Sequence, residues 1–274
     1  MHRPLLALVL SLLAALILPG ATAAQDGELQ PLLNGDEARG WEAVGRVDMA
    51  GGGFCTGTLI APDQVLTAAH CLFDRDTGRA LDTADLEFRA GLREGRAEAS
   101  RRLRRAVIHP DYVFAHSPSA DQVTSDLALL ELDQPIRSTR VHPFPVSSSV
   151  NRGTKVGIVS YAKGRAGHPS LQEICNVLGT AGPALVMDCA VDFGASGSPI
   201  FREEAGGMRL VSVVSSMAEL DGRRVALGMD LARPLATLRA VLETDTEVFD
   251  TVPGQARVLG PGERSETGAL FVRP

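Results

Sequence analysis

Short apolar segments recur at intervals of about ten residues along most of this chain, and turn-forming residues separate them. This spacing is typical of antiparallel strands in sandwiches and barrels, and the alternation of strands and helices that a parallel sheet requires is not visible. The chain has 274 residues, enough for one large all-β domain or two smaller ones. The predicted strands are 41–47, 56–60, 64–68, 86–90, 103–108, 127–132, 155–161, 185–189, 199–202, 210–214 and 225–231.

The segments on either side of the predicted strands have different sequence patterns. Residues 25–40 are polar and rich in turn formers, so we expect a flexible segment there. Towards the other end, Pro234 suits the first turn of a helix. Four apolar residues after it fall on one helical face: Leu235, Leu238, Val241 and Leu242. We therefore predict a helix over 234–243, followed by a loosely ordered tail over 244–274.

The N-terminal residues form a targeting segment. His2 and Arg3 precede a nearly unbroken apolar run at 5–18, and the Ala-Thr-Ala at 21–23 fits a small-x-small cleavage site. The run is shorter than the roughly 20 residues that a membrane-spanning helix needs. We therefore favour a cleaved signal peptide at 1–24 over a membrane anchor, and we expect export to a periplasm or out of the cell, with no membrane association after cleavage.

Export would place the four cysteines in an oxidising compartment, where an even number indicates disulfide bonds. Four cysteines allow three pairings, and the sequence does not choose among them, although pairing of sequence neighbours would close two short loops. The cysteines are Cys55, Cys71, Cys175 and Cys189. A zinc site is the competing interpretation, but no C-x-x-C or H-x-x-x-H spacing supports it. We expect neither a metal ion nor a cofactor.

Three short motifs carry residues suited to nucleophilic catalysis. They are the histidine of LTAAHC (His70), the aspartate of SDLALL (Asp126) and the serine of GASGSP (Ser196). A serine hydroxyl becomes a nucleophile when an imidazole takes its proton and a carboxylate orients the ring. Each residue alone has an ordinary structural explanation, but all three in one chain indicate a functional set. The order His, Asp, Ser argues against an α/β-hydrolase esterase, in which the serine comes first.

These motifs resemble the trypsin/chymotrypsin-like family of serine endopeptidases, and the resemblance extends over about 41–243. It includes GFCTGTLI before the histidine, HPDY at 109–112 and GMRLVSVVS after the serine. The Gly-Ser-Pro that follows the serine is closer to the bacterial branch, which includes glutamyl endopeptidases. The resemblance implies an all-β fold of two antiparallel six-stranded barrels, at about 41–140 and 141–232, with a C-terminal helix outside.

The resemblance also implies a role for each site residue. Ser196 would attack the scissile carbonyl, His70 would take and return the proton, and Asp126 would fix the tautomer of the ring. The N–H groups of Gly194 and Ser196 would form an oxyanion hole. Ser215 would support Asp126 and pair with the substrate strand. The first barrel would contribute the histidine and the aspartate, and the second barrel the serine.

Three positions depart from the well-known members of this family. Ala195 stands where digestive members carry an aspartate that pairs with a new N-terminus, so we expect activity that depends on no specific N-terminal amine. Ala190 replaces the aspartate of Arg/Lys-cleaving members, and Val214 replaces the histidine of glutamate-cleaving members. A pocket without a carboxylate does not favour a cation, so we predict an uncharged, apolar P1 side chain. The Cys55–Cys71 pair, in contrast, matches the family disulfide beside the histidine.

The predicted function is that of an exported, monomeric serine endopeptidase that acts on protein or peptide substrates. The alternative is a catalytically silent homologue that binds a partner through the same barrels, although such proteins usually lack one of the three residues. A net charge of −6 argues against non-specific nucleic-acid binding. The basic run at 101–105 is interpreted as a solvated strand face, with an exosite for an acidic polymer or substrate as the alternative.

Overall fold

The structure, a computed structural model, describes residues 28–116, 119–147 and 150–244. The predicted signal peptide and almost all of the predicted tail lie outside these ranges. Among the described residues, no helix has both the length and the apolar character needed to cross a membrane. The strands are β1 (Gln30–Pro31), β2 (Val44–Met49), β3 (Phe54–Ala61), β4 (Gln64–Thr67), β5 (Leu86–Ala90), β6 (Ala99–Ile108), β7 (Ala128–Leu132), β8 (Lys155–Ala162), β9 (Arg165–Ala181), β10 (Ala184–Met187), β11 (Pro199–Glu204), β12 (Gly207–Leu220) and β13 (Arg223–Gly228).

Two antiparallel six-stranded rings account for nearly all of these strands. The first is a closed barrel in the order β2-β3-β4-β7-β6-β5. In the second sheet the order is β9-β10-β13-β12-β11-β8, and the pairing of β8 with β9 joins its two ends. Closure pairs the backbone groups that would otherwise remain free at an edge. The predicted all-β fold with two barrels is confirmed.

The first barrel encloses a core of aliphatic side chains and one large aromatic residue. Val47, Leu66, Phe88 and Leu130 are each fully buried. These strands were predicted from alternating or continuous apolar residues, and the observed bounds of β5 agree with the prediction. β6 begins at Ala99, before the predicted start at 103, because its first four residues pair with β5. The prediction missed them because they lack the apolar pattern of the second half.

The longest strand, β9, was not among the predicted strands. Its 17 residues include two glycines and a proline, and many of its side chains are partly exposed. It pairs with β8 on one side and with β10 on the other, so these pairings stabilise it although its own sequence pattern is weak. Nonlocal hydrogen bonds of this kind are not visible in a local window of sequence.

The segment at 28–40 packs against the second sheet, although we expected residues 25–40 to be flexible. β1 pairs with Leu171 and Ser170 of β9. Leu32 and Ala38 are buried, with 4% and 2% of their surfaces exposed. Both side chains belong to the apolar cluster that includes first-barrel residues and Leu171 of β9, so contacts with distant parts of the chain bury them in a mostly polar segment.

The predicted C-terminal helix is present as α2 (Ala232–Glu243), which begins two residues before Pro234. A second helix, α1 (Ala120–Val123), is a single turn that was not predicted. Proline is tolerated in the first turn of a helix because N–H groups there have no intrahelical acceptor. Leu235 and Leu238 are buried, and the helix contacts β6 and β7 of the first barrel.

The basic run lies on β6 and pairs largely within the molecule. The guanidinium groups of Arg104 and Arg105 both contact Glu131 on β7, the latter at 3.0 Å. Arg105 also donates to the carbonyl of Leu242 in α2, at 3.0 Å. Arg101 donates to the carbonyl of Gln134, at 3.1 Å. These contacts agree with the interpretation of a strand face, and the exosite alternative stays untested.

Candidate active site

The histidine and the aspartate predicted to act together are in direct contact. The His70 Nδ1 atom lies 2.8 Å from Asp126 Oδ2, and the His70 main-chain N–H donates to Asp126 Oδ1 at 2.8 Å. Ser215 Oγ donates to the same Oδ2 atom, at 2.5 Å. Asp126 is only 3% exposed. The carboxylate therefore holds the imidazole ring and its backbone in one orientation.

The register of the first barrel explains why these residues meet. β4 is antiparallel to β7, and Thr67 at the end of β4 is paired with Ala128 at the start of β7. The chain continues from Thr67 into a single 3₁₀ turn that carries His70. Asp126 lies two residues before Ala128. Antiparallel pairing brings the end of one strand next to the beginning of the other, so both side chains leave the barrel at the same point.

The disulfide bonds join sequence neighbours, which was one of the three pairings left open by the sequence. Cys55 on β3 is bonded to Cys71 in the turn that carries the histidine, with 6.1 Å between their Cα atoms. Cys175 on β9 is bonded to Cys189, which follows β10, with a Cα–Cα distance of 5.0 Å. The first bond ties the histidine turn to the barrel wall.

Ser196 approaches the same point from the second ring. It lies in the loop between β10 and β11, and it lines a cavity of about 290 Å³ together with His70 and Asp126. Its carbonyl accepts a hydrogen bond from the main-chain N–H of Thr56 on β3, at 2.9 Å. The structure thus brings the three predicted residues together in one cleft between the two rings.

The loop that carries Ser196 differs from residue to residue in how its backbone N–H groups are bonded. Gly194 has φ of +94°, and a Cβ atom there would lie 2.5 Å from the Phe54 ring, so only glycine fits. Within the described part of the chain, the N–H groups of Gly194 and Ser196 have no acceptor, whereas those of Ala195, Gly197 and Ser198 are bonded. Free N–H groups beside a nucleophile can bind a developing oxyanion.

The predicted substrate-binding residues separate into two places. Val214 and Ser215 line the cleft that contains Ser196. Ala190 instead lines a neighbouring cleft, where its N–H donates to the buried side chain of Gln172 at 2.7 Å. Five further residues that line the main cleft near Ser196 or Ser215 in sequence were not predicted: Val191, Asp192, Phe193, Ser216 and Met217. They flank the predicted motifs in sequence, which was the only available signal for them.

An aromatic wall, which we define as Phe73, Tyr112, Phe114 and His116, contributes its last three members to the lining of the cleft. The ring centroid of Phe73 lies 5.6 Å from that of Tyr112 and 5.3 Å from that of Phe114. His116 meets Phe114 edge-on, at 5.3 Å. Such aromatic pairs stabilise a protein by more than the burial of their apolar surface alone. Sequence patterns do not indicate this wall, because its members lie in loops, outside any periodic segment.

His109, whose carbonyl accepts a hydrogen bond from the N–H of Tyr112 at 2.9 Å, gives a testable pH dependence. Burial lowers the pKa of its imidazole, opposed by the negative charge of Asp111, whose N–H donates to His109 Nδ1 at 3.3 Å. The unfolded chain then binds more protons, so the free energy of unfolding should fall as pH drops below about 6.5. His109→Asn should weaken this loss, measured by urea unfolding between pH 5 and pH 8. Parallel curves for both proteins would contradict the assignment.

One cluster of potential metal ligands exists among the described residues, and its chemistry excludes a metal. The ligand atoms of Cys55, His70 and Cys71 lie within 4.8 Å of one another. Both sulfur atoms belong to the disulfide bond, so neither is a thiolate that could bind zinc.

Comparison with known proteins identifies the family. A family model described as trypsin-like peptidase domain matches residues 55–208, which include His70, Asp126 and Ser196. The chain is 34% identical to a tryptase of Mus musculus over 154 residues, which are 52% of this chain and 50% of that protein. It is 34% identical to a trypsin of Phaedon cochleariae over 98 residues, 34% of each chain.

The family match covers more than half of the chain, and the protein therefore belongs to the trypsin-like peptidase domain family. It spans about half the length of the mouse tryptase and about a third of the length of the Phaedon trypsin. Membership in this family supports a serine protease hydrolase.

Proposed function

We propose that this protein is a serine endopeptidase that uses Ser196, His70 and Asp126 as its catalytic residues. The observation that carries the proposal is the two-point contact of Asp126 with the imidazole and backbone of His70, in the same cleft as a serine from the other ring. A buried carboxylate, an oriented imidazole and an adjacent hydroxyl are the three groups that acyl transfer to serine requires.

The reaction follows from these positions. The His70 imidazole takes the hydroxyl proton as Ser196 Oγ forms a bond to the scissile carbonyl carbon. The carbonyl oxygen becomes negative and accepts hydrogen bonds from the free N–H groups of Gly194 and Ser196. The C–N bond then breaks, and the imidazolium gives its proton to the leaving amine. Water, deprotonated by the same ring, hydrolyses the acyl-enzyme and restores the serine.

The lining of the cleft favours an uncharged P1 side chain. Val191, Val214 and Met217 contribute apolar surface next to Ser196. Asp192 also lines the cleft, but its carboxylate lies 3.8 Å from a guanidinium nitrogen of Arg224. That partner reduces any attraction of the site for a cationic side chain. We therefore propose cleavage after small to medium apolar residues.

Features outside the lining of the cleft support the origin, the export and the activation that we propose for this protein. Its GASGSP motif supports a place in the bacterial branch of the family. We propose removal of residues 1–24 as a signal peptide, export, and a monomeric peptidase domain over 41–243. The two disulfide bonds support export because they persist in oxidising compartments. Ala195 supports activity without pairing to a specific N-terminal amine, since it has no carboxylate.

A fluorophosphonate probe tests the proposal directly. We expect the purified protein to react once per chain, and peptide mass spectrometry should locate the adduct on Ser196. Ser212→Ala is a matched control because this buried hydroxyl on β12 has no partner among the described residues, and its variant should be labelled normally. Failure of the wild-type protein to react would favour the silent binding homologue.

Substrate preference requires a separate experiment. The cleavage sites of the active protein on a denatured proteome, read by mass spectrometry, should show apolar residues at P1. Strict cleavage after Arg, Lys or Glu would contradict the proposed pocket.

A further inference from the structure

Thr56 is fully buried on β3, yet it contacts the second ring at three points. Its main-chain N–H donates to the carbonyl of Ser196, at 2.9 Å. Its hydroxyl accepts from the N–H of Tyr161 at 3.0 Å and lies 3.1 Å from the carbonyl oxygen of Gly194. The carbonyl of Tyr161 is farther away, at 3.4 Å. The single hydroxyl proton is therefore best directed to Gly194.

This hydroxyl completes a set of restraints on the loop at 193–196. Three successive peptide units connect these residues, and each has its carbonyl held by a donor. The first and third accept from the main-chain N–H groups of Lys163, at 2.7 Å, and Ser198, at 3.0 Å. The middle carbonyl, that of Gly194, accepts from the Thr56 side chain. Because a peptide unit is planar and trans, holding its carbonyl also fixes the opposite direction of its N–H.

The middle peptide unit joins the two units that carry the free N–H groups. Its orientation sets the ψ angle at Gly194 and the φ angle at Ala195, so a restraint on this unit limits how the units on its two sides can move relative to each other. Ala195 is buried and offers no side-chain anchor of its own. The N–H of this unit donates to the carbonyl of Asp192 at 2.9 Å, which lies in the same loop. The restraint from outside the loop comes from the first barrel, through the Thr56 side chain.

We propose that Thr56 is a positioning residue, whose hydroxyl holds the oxyanion-binding loop in its active arrangement without touching the substrate. The inference rests on the proposed function and adds a determinant that the three sequence motifs do not contain. It also explains how the loop at 193–196 is held in place although position 195 carries no carboxylate.

Kinetics of Thr56→Val and Thr56→Ser test this role. Valine has the same shape but no hydroxyl, so we expect kcat on a peptide substrate to fall about 10- to 100-fold, with KM changed by less than about twofold. A peptide boronic acid bonds to Ser196 Oγ through boron and places an oxygen where the oxyanion would lie. Its Ki should rise by a similar factor. Thr56→Ser keeps the hydroxyl and should retain most of both properties.

Thr58→Val provides a matched control on the same strand. Thr58 is also fully buried, but its hydroxyl has no partner among the described residues. The same substitution there should leave kcat and the boronic acid Ki unchanged. Should Thr56→Val fail to fold, the pair Thr56→Ser and Thr56→Ala, which differ only in the hydroxyl, gives the same comparison.

The outcomes separate this inference from the proposed function. A wild-type protein that fluorophosphonate does not label and that cleaves no peptide would overturn both. An active wild type with unchanged kcat and boronic acid Ki in folded Thr56→Val or Thr56→Ala would overturn the role of Thr56 alone. A folded Thr56 variant with a changed KM and an unchanged kcat would also overturn the role of Thr56, because that result would indicate a contribution to substrate binding instead.

Discussion

Replacing Ser196 by alanine is expected to lower peptide turnover about 10⁴- to 10⁶-fold, with little change in KM. The substitution removes only the hydroxyl, and the cleft and the free N–H groups remain to bind substrate. His70→Ala should have an effect of similar size because the serine is a weak nucleophile without its base. The double variant should be no slower than either single variant, since the two residues act as a unit.

Initial rates with a chromogenic peptide, together with urea unfolding of each variant, check this expectation. Ser212→Ala serves again as the control, with unchanged turnover. A Ser196→Ala protein that retains more than about one percent of wild-type turnover would contradict the assignment of the nucleophile.

Substitution of Asp126 by asparagine keeps the size and shape of the side chain but removes its negative charge. Both carboxylate oxygens of Asp126 accept hydrogen bonds, Oδ1 from the His70 backbone and Oδ2 from the ring and from Ser215. Asparagine has one acceptor oxygen only. If its NH₂ group faces the ring, the imidazole proton moves to Nε2, and the ring cannot take the serine proton. Turnover should fall about 10⁴-fold in a protein that remains folded.

Gly197→Ala is expected to have the largest effect on stability. This residue has φ of +78°, and an added Cβ would lie 2.2 Å from the carbonyl oxygen of Thr56 and from the Thr67 hydroxyl. Those atoms belong to β3 and β4, which hold the loop with Ser196 against the first barrel. Backbone strain and overlap together should cost about 4 kcal/mol or more, and the rate of fluorophosphonate labelling should fall at least about 100-fold in whatever fraction folds.

Gly153→Ala isolates the contribution of backbone strain. Gly153 has nearly the same φ, +83°, but no atom lies within 4 Å of an added Cβ. Its variant should lose only about 1–2 kcal/mol and keep full labelling. Urea unfolding gives both free energies. Equal losses in the two variants would show that the close approach of the loop to β3 is not important.

The three catalytic candidates could be identified from sequence because their chemistry restricts the residue type. Only certain side chains serve as nucleophile, base and orienting acid, so His70, Asp126 and Ser196 are conspicuous in short motifs. Most strands and the C-terminal helix were also predictable, because burial of one face requires a period of two or of about 3.6 residues. β9 could not be predicted in this way, since its stability comes from pairing with β8 and β10.

Other features of the site depend on contacts between distant parts of the chain. Thr56 looks like an ordinary strand residue until Gly194 and Tyr161 approach it, over separations of 138 and 105 residues. The aromatic wall consists of loop residues that meet only when the first barrel closes. Ala190, predicted to line the substrate pocket, lies instead beside a second cleft next to Gln172.

The sequence by itself determined most of the strands, the C-terminal helix and the three candidate catalytic side chains, because side-chain chemistry and local periodicity are properties of short segments. Only the tertiary structure decided which cysteines pair, which N–H groups beside Ser196 have no acceptor among the described residues, and which distant hydroxyl contacts the loop that carries them. These features depend on how the two rings dock. Docking is governed by the shape and hydrogen bonding of surfaces that are assembled from separate parts of the chain.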